Sequence, residues 1–499
     1  MTDLFQTRHS HPAPGRMDHG HASPVLTADG EIRPVTRAPA GERWSWALYD
    51  FSNTIFSMNV ATLYFAVWLV SDIGASELQY ATANGIASVM VVAAIPVLGA
   101  VSDSRRRRKP WVVGFTIVAC IACALMGVFG STTLPLVGTG IAGGGLRDVN
   151  WHPTTMMLLP VLACYVIANF AYQAAQPFYN AMLPELVPVE ERGRLSGLGT
   201  AVGYVGSVAG VLMVFPFFTG GLPLIGPLPE GVVNTLRSIV PFTDQAGRVS
   251  TFVPTGILFL LFSLPLFFFC RDHYPVRNPA PIRLKAAFGQ VRQTLRDARQ
   301  HPGALRFILA TFLYQDAIGT IVAFMSLYAV NAMGFAEGSE VTLFVVLTVP
   351  AIFGSYVAGL MVDRIGAKRT LQITIWIWVL LLIAMVLVPT QAAFWVVGFA
   401  IGLNFGGVGA AERPLMLSLI PDAEAGRYFS LMLLSARVAA IVGPFIWGFT
   451  VKGFEPSLGT GMAYRAAVLI VGLMFLISLV ILHGVPDKME SSRRALKSA

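Results

Sequence analysis

Apolar runs long enough to cross a lipid bilayer recur twelve times along this chain. A hydrocarbon core of about 30 Å is spanned by a helix of about 20 residues rising 1.5 Å each. The first six runs begin near Trp46, Leu78, Trp111, Met156, Leu195 and Phe252, the next six near Phe307, Val341, Leu371, Phe394, Tyr428 and Met462. No single soluble core absorbs so many. Charge is also too scarce to cover a soluble surface: 12% of the 499 residues are charged and the mean hydropathy is +0.65, against roughly 25% charged in soluble domains. These features predict an all-α, polytopic membrane protein. Cys120, Cys123, Cys164 and Cys270 all fall inside apolar runs and outline no disulfide framework.

The basic residues orient the spans. With the N-terminus placed in the cytoplasm, only Arg147, Arg237, Arg248, Lys452 and Arg465 of the 35 basic residues fall in outer loops, and Arg413 and Arg437 within spans. That distribution satisfies the positive-inside rule and puts both termini inside. It also explains the formal charge of +8 without a nucleic-acid partner. The first forty residues lack the apolar core and cleavage site of a signal peptide, so the first span is expected to serve as its own signal. The expected organisation is a disordered tail over 1–43, a six-helix bundle over 44–270, a cytoplasmic linker over 271–305, a second bundle over 306–483 and a tail over 484–499. Within the linker, "RLKAAFGQVRQTLRDARQ" suits an amphipathic helix on the inner leaflet or a solvated one. The histidines of "HSHP" and "HGH" in the first tail are read as incidental, and no metal or cofactor is expected.

The two halves echo each other. "GAVSDSRRRRK" follows the second span and "GLMVDRIGAKR" the eighth; "PELVPVEERGRLS" after the fourth recurs as "LSLIPDAEAGRYFS" after the tenth. Arg194 and Arg427 align, and so do Gly210 and Gly443 further on. Parallel echoes between six-span halves mark carriers that rock two bundles about a midplane site. The glycine–aspartate–basic loops resemble the signature loop of the major facilitator superfamily. The resemblance implies its fold, twelve transmembrane helices in two pseudo-symmetric six-helix bundles. It also implies a gate built from Gly99, Asp103 and Arg107 and from Gly359, Asp363, Arg364 and Arg369. The first copy carries Ser104 and Arg106, and the second Ala367, where the pattern usually differs. "WALYDFSNTIF", "FYNAMLPELVP", "GRLSGLG", "LPLFFF", "FLYQDAIGTIVAF", "GLNFGGVGAAERPLMLSLIP" and "SARVAAIVGP" are similar, in order, to the vacuolar-effluxer group of that superfamily. That likeness implies efflux of small polar metabolites, with amino acids the precedent.

Charges inside spans are expensive and tend to be functional. Here they are Asp50, Asp316, Glu412, Arg413 and Arg437, accompanied by Asn53, Asn59 and Gln315. In the fourth span Gln173, Gln176 and Asn180 share one helical face with Asn169 nearby, which suits a water-filled cavity or a polar helix contact. Asp50 and Asp316, in "LYDFSN" and "LYQDAIG", are read as symmetric partners. The deeper Asp316 suits proton exchange, and the shallower Asp50 a gate or an ammonium contact. Arg437 suits a carboxylate, gripped by two parallel hydrogen bonds. Static Asp50–Arg413 and Asp316–Arg437 bridges are the structural alternative. Trp44, Trp46, Tyr49 and Tyr314 are expected as interface anchors and packing. No phosphate-cradling loop and no catalytic constellation occurs, so the chain is read as a carrier and not an enzyme. Its partners are then a small polar solute (an amino acid first), protons and membrane lipid. A sugar or drug carrier of the same fold, or a non-transporting receptor or lipid scramblase, fits the same residues.

Overall fold

Each apolar run folds as a long helix. The computed structural model describes residues 24–26, 32–34, 37–75, 77–132, 155–222, 225–243, 247–273, 302–335 and 340–486. The long helices are α1 (Ala40–Phe56), α2 (Glu77–Arg105), α3 (Lys109–Thr132), α4 (Thr155–Leu186), α5 (Arg192–Thr219), α6 (Phe252–Phe269), α7 (Pro302–Met333), α8 (Glu340–Ile365), α9 (Ala367–Leu387), α10 (Gln391–Leu419), α11 (Ala425–Leu458) and α12 (Thr460–His483). Ten are long and apolar enough over their described residues to cross a bilayer, and α2 does so as a span bent by 43° at position 96, a proline. Proline there removes one ladder hydrogen bond and forces the preceding turn aside.

The first span is less regular than its sequence suggests. After α1 the chain widens into π-helix over Ser57–Tyr64, passes through one α-turn (Phe65–Val67) and widens again over Trp68–Asp72. In the segment expected to lack structure, Pro24–Leu26 pairs antiparallel with Ile32–Pro34. The linker helix expected over 283–300 and the histidines of the first tail lie outside the described residues.

The halves are built alike. In the first, α1 packs on α5 and α6, α4 on α2 and α3, and α3 on α6. In the second, α7 packs on α11 and α12, α10 on α8 and α9, and α9 on α12. These contacts correspond one for one, giving two pseudo-symmetric six-helix bundles. The halves meet along two equivalent seams, α2 against α11 and α8 against α5, flanked by α10 on α5 and α11 on α4. The α2–α11 and α5–α8 seams close at the face that bears the two basic loops. At the α5–α8 seam a Cβ on Gly359 would lie 3.0 Å from Gly197 Cα, so the backbones approach as only glycine permits.

Candidate functional site

The basic face is latched by carboxylates capping helices of the opposite half. Asp103, at the end of α2, accepts hydrogen bonds from the N–H groups of Gly426 (2.9 Å) and Arg427 (3.1 Å), the opening residues of α11. Asp363, at the end of α8, accepts from the N–H of Arg194 (2.9 Å) in the first turn of α5. The first turn of a helix leaves N–H groups unpaired and carries the positive end of its dipole, so an anion satisfies both. Gly99 lets α2 come close enough, since a Cβ there would lie 3.1 Å from Arg427 Cα. Between the loops Arg192 forks onto Asp422 at 3.0 and 2.6 Å.

The arginines of the signature loops differ in exposure. Arg107 is exposed, as are Arg364 and Arg369. Arg106 is buried at 6% exposure, and Arg108 more deeply still, at 1%. Arg108 donates to Glu185 (2.7 Å) and to the carbonyl of Ala181 on α4, while its backbone N–H reaches Asp272 at the end of the bundle. A run of four arginines gives no sign of which turn inward; Arg106 and Arg108 do, where the backbone at Arg106 takes a positive φ of 47°.

Above the latch, Arg413 of α10 crosses to the other half. Its guanidinium donates to both oxygens of Asp50 on α1, at 3.1 and 3.3 Å. It also lies 5.6 Å from the ring centres of Trp46 and Tyr179. Those rings stack at 4.7 Å and lock each other: Trp46 Nε1 donates to the Tyr179 carbonyl, and the Tyr179 hydroxyl to the Trp46 carbonyl. Trp46 is thus fully buried, a correction to its reading as an interface anchor; the spacing of Trp46 one turn before Asp50 was the available signal. Tyr49 and Tyr314 are likewise buried, bonded to Thr116 and Thr311, and only Trp44 is exposed.

Asp50 and Asp316 are not structural equivalents. The α1–α5 contact of Ile55 with Gly210 is matched in the second half by that of Thr320 with Gly443. This register pairs Tyr49 with Tyr314 and Asp50 with Gln315. A one-residue step turns a side chain by about 100° on a helix, and the two carboxylates accordingly face different neighbours. Gln315 donates to Glu412 of α10 at 2.8 Å. Asp316 faces its own half, where it accepts from the N–H of Gly443 on α11 at 3.0 Å and keeps its second oxygen unpartnered. Of the two bridges weighed as the structural alternative, Asp50–Arg413 is made and Asp316–Arg437 is not.

Arg437 instead points across to α4. It lies in the electrostatic neighbourhood of Tyr165 and Tyr172, and its buried Nε has no partner. Along the same face of α4, Gln173 Oε1, Gln176 Nε2 and Asn180 Oδ1 are buried and unpartnered, as is Asn53 Oδ1 on α1. Tyr172 lies beside Asn53 and Ser57, joining the two sets. Asn59, deeper in the π-helical stretch, is fully buried with neither amide atom bonded. Among the described residues no cluster of His, Cys, Asp and Glu has the arrangement of a metal site.

Two equivalent six-helix halves, latched at one face and lined above the latch by unpartnered polar groups, define a multi-pass membrane transporter of the major facilitator fold. The family described as vacuole effluxer Atg22 like matches residues 75–495, and the chain belongs to it. It is 24% identical to an uncharacterized MFS-type transporter, YxiO, of Bacillus subtilis (strain 168), over 89% of this chain and 94% of that one. It is 27% identical to the multidrug resistance protein MdtG of Proteus mirabilis (strain HI4320), over 60% and 67%. Its fold is similar to that of FucP, a major facilitator superfamily transporter solved in the outward conformation (TM-score 0.60, 13% identity, 90% and 98% covered). YxiO and FucP are both described as transporters.

Proposed function

We propose that the protein is a secondary transporter that exports a small zwitterion, an amino acid first among candidates, by alternating access across a bacterial plasma membrane. The single observation that carries this reading is Arg437: a cation inside the bundle whose Nε is unpartnered and which meets no carboxylate among the described residues, in the field of Tyr165 and Tyr172 on the α4 face that carries the unfilled amides. An unpaired cation partly withdrawn from water is costly, and a substrate carboxylate would relieve that cost. The positive-inside distribution supports a cytoplasmic latched face, and the latch would then close this conformation to the cytoplasm. Asp316 is the candidate proton carrier, since its unpartnered oxygen can take a proton without breaking the bond to Gly443.

Counterflow in proteoliposomes, with labelled amino acids and sugars and with or without a pH gradient, tests the reading. Exchange of an amino acid supports it. Exchange of sugars alone would keep the fold and discard the zwitterion. Asp316→Asn should abolish the response to the pH gradient while leaving equilibrium exchange; an unaltered response removes Asp316 from coupling. The likeness to MdtG favours a second reading, drug export, for which ethidium efflux in the same vesicles is the discriminating assay.

A further inference from the structure

One hydrogen-bonded chain of amides inside the first half has a direction. Gln173 Nε2 donates to Asn169 Oδ1 at 2.8 Å, and Asn169 Nδ2 donates to Asn84 Oδ1 at 3.2 Å. The Tyr165 hydroxyl also donates to Asn84 Oδ1, at 3.3 Å. Asn84 on α2 is thus the acceptor end, anchored by two donors. Each amide in the chain uses its NH2 toward Asn84, which leaves one carbonyl over at the opposite end: Gln173 Oε1, buried and unpartnered. Donation through its own nitrogen polarises that carbonyl and makes it a stronger acceptor.

Gln173 shares a helix face with the two tyrosines in the field of Arg437. Tyr165, Asn169, Tyr172 and Gln173 lie on one face of α4 by their spacing, and Tyr165 and Tyr172 are the residues in the field of Arg437. Asn53 Oδ1, a second unpartnered acceptor, lies beside Tyr172. An unpaired cation and two neutral acceptors therefore bracket Tyr172. Asp50, a carboxylate suited to an ammonium, is occupied by Arg413.

Resting on the zwitterion reading above, we infer that the site has a fixed polarity: the substrate carboxylate binds Arg437, and its ammonium binds the Gln173 carbonyl with Asn53. Gln173 is then the residue that distinguishes an amino acid from the corresponding simple acid, and Asn84 is a positioning residue that sets the sense of the chain without touching substrate. Neutral acceptors suit a carrier, because they hold an ammonium without the tight ion pair that would slow release.

The test uses full-length protein in nanodiscs and measures protection against thermal unfolding. L-serine and L-leucine are each compared with their deaminated analogues, 3-hydroxypropanoate and 4-methylpentanoate. A hydrogen bond to a charged group corresponds to about tenfold in affinity, so the wild type should prefer each amino acid by about that factor. Gln173→Leu should reduce the preference to about twofold or less by weakening the amino acids alone. Asn84→Leu should narrow it in the same direction, and Gln173→Glu, which keeps an acceptor and adds charge, should widen it. Arg437→Gln should weaken all four compounds together. Equal weakening of acid and amino acid by Gln173→Leu would make Gln173 structural and overturn the assignment. A larger loss for the deaminated acids would mean that the amide presents its NH2 to the carboxylate, the reverse polarity. A wild type protected by none of the four would overturn the zwitterion reading itself. A wild type that binds without discrimination would overturn only the polarity.

Discussion

Arg413 is held by one carboxylate and two aromatic faces, so changing any of the three affects the same bond between halves. Asp50→Asn removes a buried charge opposite a partly buried guanidinium. Breaking one side of such a pair costs about 3–5 kcal/mol, and here the loss falls on the latched conformation, because Asp50 and Arg413 belong to different halves. The expected result is a lower unfolding temperature together with faster labelling of cysteines introduced at the basic face. Arg413→Lys should not rescue it, since an ammonium supplies neither the fork nor the flat face that lies against Trp46 and Tyr179. The double change Asp50→Asn with Arg413→Gln should be milder than the sum of the singles. Strict additivity in that cycle would show that the pair is not coupled.

At the scale of elements, Gly443 ties α11 to the acid on α7. A Cβ at this position would sit 2.5 Å from Asp316 Oδ1 and closer still to Thr320 Oγ1, so Gly443→Ala must push the helices apart and lengthen the Asp316 hydrogen bond. Gly448→Ala, one and a half turns on and facing open space, is the control. The first is expected to lose the same pH response as Asp316→Asn and the second to keep it; equal behaviour of the two would remove the steric argument. The latch makes a comparable prediction. Asp103→Ala and Asp363→Ala each remove a carboxylate from the N-terminus of a helix, worth about 0.5–2 kcal/mol. Each should therefore raise the population open at the basic face by a few-fold, read as increased labelling of a cysteine at Ser430.

Helices were legible in the sequence because each apolar run is long, and the echoing loops located the latch because Asp103 and Asp363 sit at the same place in both halves. What was not legible depends on register. "LYDFSN" and "LYQDAIG" differ by one residue after a shared tyrosine, and only packing against Gly210 and Gly443 shows that Gln315, not Asp316, is the counterpart of Asp50. The π-helical widening of the first span left no mark in composition. Nor did Asn84, one of two amides near the start of α2, whose part depends on its three-dimensional neighbours.

For the whole molecule, every strong bond between halves described above lies at or near the basic face: the two helix caps, the Arg192–Asp422 fork and the Asp50–Arg413 pair. A carrier needs its two access states within a few kcal/mol of each other, so a bond made only in this state sets how often it opens. The seam between α5 and α10 permits a direct test. A Cβ at Gly409 would lie 3.8 Å from the Cβ of Thr200, which is about the separation found across disulfides. The four native cysteines are buried, so Thr200→Cys with Gly409→Cys should form an intramolecular bridge under mild oxidation with little background. The bridged protein should stop counterflow, since the halves can no longer part at the basic face, while substrate added from the opposite face still protects it against unfolding. Reduction should restore exchange. Undiminished turnover by fully bridged protein would mean that these halves move by some route other than separation at this face.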